Sequence, residues 1–366
     1  MNDVTTGEDP TQAVLSESAL SEKSLCDYVI NVATGCRHGC QFCYVPSTPQ
    51  VRARPDVLAE HADVEDPQHE WGSYVLYRDD LPDRLRDILD RKQTWKTTPK
   101  GRGIVGISFA TDCYMDGRAG RITRDVVTAL AAHDRYARAL TRNPILALQD
   151  LPTFREAGEH VTIGSSIPAL DAAQVGAIEP RAPAPEHRLR GLRAFADAGV
   201  QTFVSMSPTY PTQDKADLRT LLEAIATVEP AVVFHEPMNP RGANFAMTVE
   251  AAGEADEHDL ANALDALRDR ETWAEYAVQH LRWVQELGAD LGLPVHLWPD
   301  KQLVRSDAVS EHERAWLEAW RERESPEPFA RRDPPTSRYR TFRQRDLRRQ
   351  RSVRSAAKEV SGDDAP

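Results

Sequence analysis

From residue 27 onward, short apolar runs alternate with stretches whose apolar positions recur at helical spacing. The runs 27–32, 103–109, 136–140, 161–165, 201–206 and 231–235 predict strands, with 295–297 as a short last one and 73–77 as a further extended run. The segments 82–91, 121–133, 145–157, 186–198, 212–228 and 272–291 predict helices. Strands separated by helices of this length imply right-handed βαβ crossovers and a parallel sheet. Six such units are too few to close an eight-stranded barrel, so the expected fold is α/β, a partial (β/α)6 TIM-type barrel over residues 25–322. Irregular extensions flank it: 1–24 as a disordered leader, and 323–366 as an Arg-rich, partly disordered tail. Within the barrel, 46–69 is an irregular excursion and 239–259 an acidic, loop-rich stretch.

Composition supports one large α/β domain or two smaller ones, with a sizeable core: the chain has 366 residues, 40% of them hydrophobic. No apolar run reaches 18 residues, so no transmembrane helix is expected. The polar start, 1–22, lacks the apolar stretch of a secretory signal, and a cytoplasmic protein is expected. The net charge of −12 disfavours non-specific nucleic-acid binding over the whole surface. Arginine is nevertheless concentrated at 331–354, and in 337–351 it interleaves with Tyr and Phe. Arg pairs with phosphates and aromatics stack on bases, so this tail is a candidate nucleic-acid contact. The other reading is a basic segment that docks on the acidic body or is solvated.

Five cysteines are present: Cys26, Cys36, Cys40, Cys43 and Cys113. An odd count without an export signal does not describe a disulfide framework. Three of them fall within eight residues, spaced C-x3-C-x2-C, directly after the first expected strand. Three thiolates from one loop reach three corners of a cubane iron–sulfur cluster and leave the fourth iron open. An open coordination position marks a catalytic rather than a structural site. Gly35 and Gly39 allow the loop to bend around such a cluster. A Cys3His zinc site using His38, or plain reduced thiols, are the alternatives. Parallel barrels collect their active sites at the C-terminal ends of strands, where this loop lies. Polar residues recur at the later strand ends: Thr111-Asp112, Thr141-Arg142-Asn143, Ser165-Ser166, Ser205, Ser207 and His235-Glu236.

The cysteine motif resembles that of the radical SAM superfamily. A longer set resembles its spore photoproduct lyase-like branch across residues 27–236: the run 31–40, Asp112, Thr123-Arg124, Thr141-Arg142-Asn143, the run 178–183, Arg188-Leu189 and Ala198-Gly199-Val200. The superfamily resemblance implies that Cys36, Cys40 and Cys43 ligate a [4Fe–4S] cluster whose open iron binds S-adenosylmethionine. One-electron reduction would cleave that cofactor to a 5′-deoxyadenosyl radical, which abstracts hydrogen from a substrate the sequence does not identify. The branch implies that Thr111, Arg142 and Ser166 contact S-adenosylmethionine and that Tyr44 packs beside the cluster and adenosine, unless Tyr44 is a simple core aromatic. The family usually has Lys where Arg142 stands; a guanidinium can pair bidentately with the methionyl carboxylate, or the residue is a solvated loop arginine. Glu179 is expected either to pair with Arg188 or to bind ribose. The branch's hydrogen-donor cysteine corresponds to a position near Phe109, which leaves Cys113 as a candidate hydrogen donor in another register. With no second cysteine cluster, an external reductant such as flavodoxin or ferredoxin is implied. The expected function is therefore a radical SAM enzyme, of lyase or oxidoreductase type. The alternatives are repair or modification of DNA or RNA bases within the superfamily, and a zinc-stabilised nucleic-acid-binding protein outside it.

Overall fold

The computed structural model describes residues 4–326. Eleven strands are formed: β1 Thr5–Glu8, β2 Ser16–Glu17, β3 Tyr28–Ile30, β4 Ala33–Gly35, β5 Tyr74–Tyr77, β6 Val105–Ile107, β7 Ala137–Thr141, β8 Val161–Ser166, β9 Thr202–Thr209, β10 Val233–Pro237 and β11 Val295–Leu297. The main sheet runs in the order β11-β10-β9-β8-β7-β6-β3-β2. From β3 to β11 every pairing in it is parallel, and only the edge strand β2 is antiparallel. β2 and β11 do not pair with each other, so the sheet curls without closing, as a partial barrel does.

Alternation along the strands decides which residues face the helices and which face the barrel lumen. On β9 and β10, Val204, Met206 and Val233 bury against helix residues such as Leu218, Leu222 and Leu281. Phe203, Val232 and Phe234 face the other way, into the lumen, with Leu25 and Leu140 against them. Two of the helices start on side-chain caps as follows: Asp116 accepts from the N–H groups of Arg118 and Ala119 ahead of helix Gly117–Ala131, and Asp214 and Asp217 form a capping box on helix Lys215–Ala226.

Three expectations are corrected. The leader is folded as far as it is described. β1 pairs in parallel with β5 in a second, three-stranded sheet of order β1-β5-β4. Asp9, at the end of β1, is buried and accepts from Thr34 at 2.6 Å, Arg54 at 2.6 Å and Arg78 at 3.0 Å. Burial alone would raise its pKa, but these partners hold it well below the carboxylate range. The stretch 239–259 is mostly helical, with helices Ala243–Glu254 and His258–Ala266. Phe245, Thr248 and Ala252 make its buried stripe, which the surrounding acidic residues obscure. Finally, the strand expected over 27–32 stops at Ile30, and the chain passes to β4 in the small sheet before the cysteine loop begins. The loop is therefore seated where the two sheets meet. The 331–354 arginine run lies outside the described residues. Among the described residues no helix is long and apolar enough to cross a membrane.

Candidate active site

Two glycines fix the cysteine loop. Gly35 has φ +90°, and a Cβ there would meet the Tyr74 carbonyl oxygen at 2.3 Å. Gly72 has φ +102°, and a Cβ on it would lie 2.7 Å from Gly39 Cα. The loop backbone thus presses directly on β5 and its lead-in, an approach only glycine permits. Further along, the Gln41 N–H donates to the Ile178 carbonyl at 2.9 Å and the Cys43 N–H to the Cys40 carbonyl at 3.1 Å.

Cys36 and Cys40 are buried and Cys43 is half-buried. Burial pushes the Cys40 thiol up to about 12 and the Cys43 thiol up to about 11. Cys36 is pushed well above its ordinary value by burial, then by Asp112, Cys40 and Cys43. Three neighbouring thiols whose burial opposes ionisation suit a cationic iron cluster, which would hold them as thiolates. Among the described residues no set of His, Cys, Asp and Glu converges tightly enough for a single metal ion.

His38 does not turn toward the thiols. It is buried, with Nδ1 3.3 Å from the Arg181 carbonyl and Nε2 3.3 Å from Asp112 Oδ2. Asp112 also accepts from Thr141 Oγ1 at 2.6 Å, the Arg142 N–H at 2.7 Å and the Tyr114 N–H at 2.8 Å. Burial opposes its charge, but His38 and these donors hold its pKa below the usual range. One carboxylate thereby ties the cysteine loop to the chain after β6 and to the end of β7.

Arg142 stands beside this loop. Its guanidinium lies 5.2 Å from the Phe42 ring centroid, and Nη1 donates to Glu179 Oε2 at 2.7 Å. Arg188 Nη2 approaches the same oxygen at 2.7 Å, and the Tyr210 hydroxyl donates to Oε1 at 3.2 Å. Glu179 and Arg188 are fully buried, so the ion-pair expectation for them describes what forms. Burial works against the charge of Arg142, yet Cys40 and Glu179 raise its pKa. The guanidinium is not a solvated loop arginine.

The remaining expected contacts fall as follows. Thr111 Oγ1 donates to the Gly35 carbonyl at 2.5 Å, at the root of the loop. Ser166 is buried at the end of β8, and its carbonyl accepts from Arg188 at 3.0 Å. Tyr44 is 58% exposed, so it is not a core aromatic, yet it lies within electrostatic range of Cys43 and Glu236. Cys113 is not brought to the site: it is fully buried and its thiol points to the Leu140 carbonyl at 3.4 Å. Two neighbours carried no sequence signal. Asn244 Nδ2 donates to the Phe42 carbonyl at 2.7 Å, and Lys23 reaches Glu236 at the mouth of the barrel.

A family model described as the radical SAM superfamily matches residues 30–225. An uncharacterized protein of Acidianus two-tailed virus is 28% identical over 242 residues, covering 64% of this chain and 75% of its own length. An uncharacterized protein of Mycobacterium tuberculosis is 28% identical over 205 residues, covering 54% of this chain and 55% of its own. The chain thus spans little more than half of this mycobacterial relative. Among solved structures, a spore photoproduct lyase variant with bound AdoMet and dinucleoside spore photoproduct is similar at TM-score 0.49 and 15% identity, covering 68% of this chain and 66% of that one. Streptococcus suis SuiB bound to S-adenosylmethionine is similar at TM-score 0.44 and 11% identity, covering 78% and 53%.

Proposed function

The chain belongs to the radical SAM superfamily, and on that premise we propose that Cys36, Cys40 and Cys43 hold a [4Fe–4S] cluster that binds S-adenosylmethionine, and that the enzyme removes hydrogen from a substrate held in the barrel lumen. When bound, these cofactors supply one-electron chemistry that side chains do not provide. The observation that carries the reading is the loop itself: three cysteines within eight residues on one tight turn, held by close glycine contacts, with a guanidinium beside them.

The chain's own residues divide the remaining work. The three thiolates ligate. The cation of Arg142 offsets the negative charge gathered on the loop, and Glu179 fixes where that cation stands. His38 and Asp112 hold the loop against the ends of the parallel strands. Thr111, Ser166 and Tyr44 are the contacts we assign to S-adenosylmethionine, with Arg142 facing its carboxylate. Cys113 receives no role, because its thiol is committed to a main-chain carbonyl away from the loop. His38 is held by Asp112 rather than by the thiols, which removes the fourth ligand a Cys3His zinc site needs. An external one-electron donor completes the system.

Anaerobic reconstitution tests this directly. The protein should take up about four irons per chain and release 5′-deoxyadenosine on reduction with dithionite in the presence of S-adenosylmethionine. Each single Cys→Ala change at 36, 40 or 43 should abolish both. Colourless protein carrying stoichiometric zinc, with no nucleoside released, would sink the proposal.

A further inference from the structure

The open seam of the barrel is crossed by the N-terminal segment 18–25. It leaves β2 at one edge of the sheet, where the Ser18 N–H donates to the Asp27 carbonyl. It then meets residues from the opposite edge. Glu22 pairs with Lys301 at 3.1 Å, just after β11, and Lys23 pairs with Glu236 on β10. Inside the lumen, Arg138 of β7 donates to the carbonyls of Ser24 and Leu25 at 3.0 and 2.6 Å. A segment bonded to both edges and to the lumen wall does the closing work that further strands would do in a complete barrel.

Its far end delivers a polar pair to the substrate side. Glu236 follows Val232 and Phe234 on the lumen face of β10, whereas His235 points outward and bonds Thr209. The Glu236 N–H is fixed by Ser207 Oγ at 2.9 Å. Lys23 Nζ donates to both Glu236 oxygens, at 2.8 and 2.7 Å, and lies 5.9 Å from the Trp298 ring centroid. The side chains remain 29% and 37% exposed, so each keeps hydrogen-bonding capacity beyond the pair. Lys23, Glu236 and Trp298 all fall outside the 30–225 span shared with the superfamily.

We propose that Lys23 and Glu236 form the substrate-recognition pair of this enzyme, reading a neutral group that offers a hydrogen-bond donor beside an acceptor, as an amide or lactam edge does. The inference rests on the proposed function in placing substrate in the lumen. A paired ammonium and carboxylate present no net charge, so an ionic ligand gains little from them. They do present a donor beside an acceptor, which matches N–H next to C=O.

Saturation-transfer NMR on the reconstituted full chain tests it, with uracil as a cyclic probe, N-acetylglycinamide as an open-chain probe, and acetate and guanidinium as charged controls. At least one amide probe should bind and neither charged control should compete. Glu236→Ala and Lys23→Met should each weaken that binding about tenfold, the worth of one charge-assisted hydrogen bond. Glu236→Gln, which keeps shape and an acceptor, should lose less and covers the case in which the alanine variant fails to fold. Which probe binds tells whether the edge is cyclic or open-chain. No amide binding to the wild-type chain, equal binding of acetate or guanidinium, or unchanged binding in Glu236→Ala and Lys23→Met overturns the proposal. Iron content on the same sample is a separate readout: its failure counts against the cluster, while the probe result counts for or against the pair.

Discussion

Glu179 is fully buried, and burial alone would neutralise it, yet its pKa is lowered because Arg142 and Arg188 share one oxygen and Tyr210 donates to the other. Buried histidines go the opposite way. Burial pushes His280 and His296 down to about 4, and His235 well below its ordinary value. Above about pH 6.5, the ordinary histidine pKa, folded and unfolded chains are both neutral at these sites. As pH falls from there toward 4, the unfolded chain takes up protons that the folded one refuses, and stability drops by up to about 1.4 kcal/mol per pH unit per histidine. Urea denaturation between pH 6.5 and 5 should therefore show a steady loss, and His280→Asn should make it shallower while His235 and His296 still contribute; a level profile across that window would refute this assignment. The cysteine triplet was legible in sequence because its spacing is local. The Glu179–Arg188 pair was legible because both residues stand in the motif set. Lys23 and Glu236, separated by 213 positions, were not: only the crossing of the seam brings them together.

At the scale of elements, apolar runs located the parallel strands because a strand covered on both faces is apolar throughout. Elements that lean on paired charge escaped that logic. β1 carries the sequence Thr-Thr-Gly-Glu and is mostly exposed; it is held by pairing with β5 and by Asp9 at its end. The acidic helices Ala243–Glu254 and His258–Ala266 bury only narrow stripes. The Asp9 cluster gives a sharp expectation. Asp9→Ala leaves Arg78 buried without its carboxylate, and should cost about 3–5 kcal/mol in chemical denaturation, as breaking a buried pair does. Asp9→Asn, which keeps one acceptor oxygen for the donors around it, should cost less. A loss below about 1 kcal/mol in Asp9→Ala would mean the pair behaves as a surface bridge and that β1 is dispensable.

Across the whole molecule, a parallel sheet with one antiparallel edge strand curls around a lumen, and the cysteine loop lies at its junction with a small second sheet. The N-terminal segment closes the seam, and helix Ala243–Glu254 latches onto the loop through Asn244. The cysteine loop falls in the superfamily span, while the seam and the end of β10 lie outside it. The central claim is that three thiolates leave one iron of a cluster open to S-adenosylmethionine. Electron paramagnetic resonance of the dithionite-reduced, reconstituted protein, recorded with and without S-adenosylmethionine, addresses that iron. The account predicts a reduced [4Fe–4S] signal whose shape changes when S-adenosylmethionine is added, and its loss in Cys40→Ala. A cluster signal that S-adenosylmethionine leaves unaltered, or no cluster signal in iron-replete protein, would contradict it.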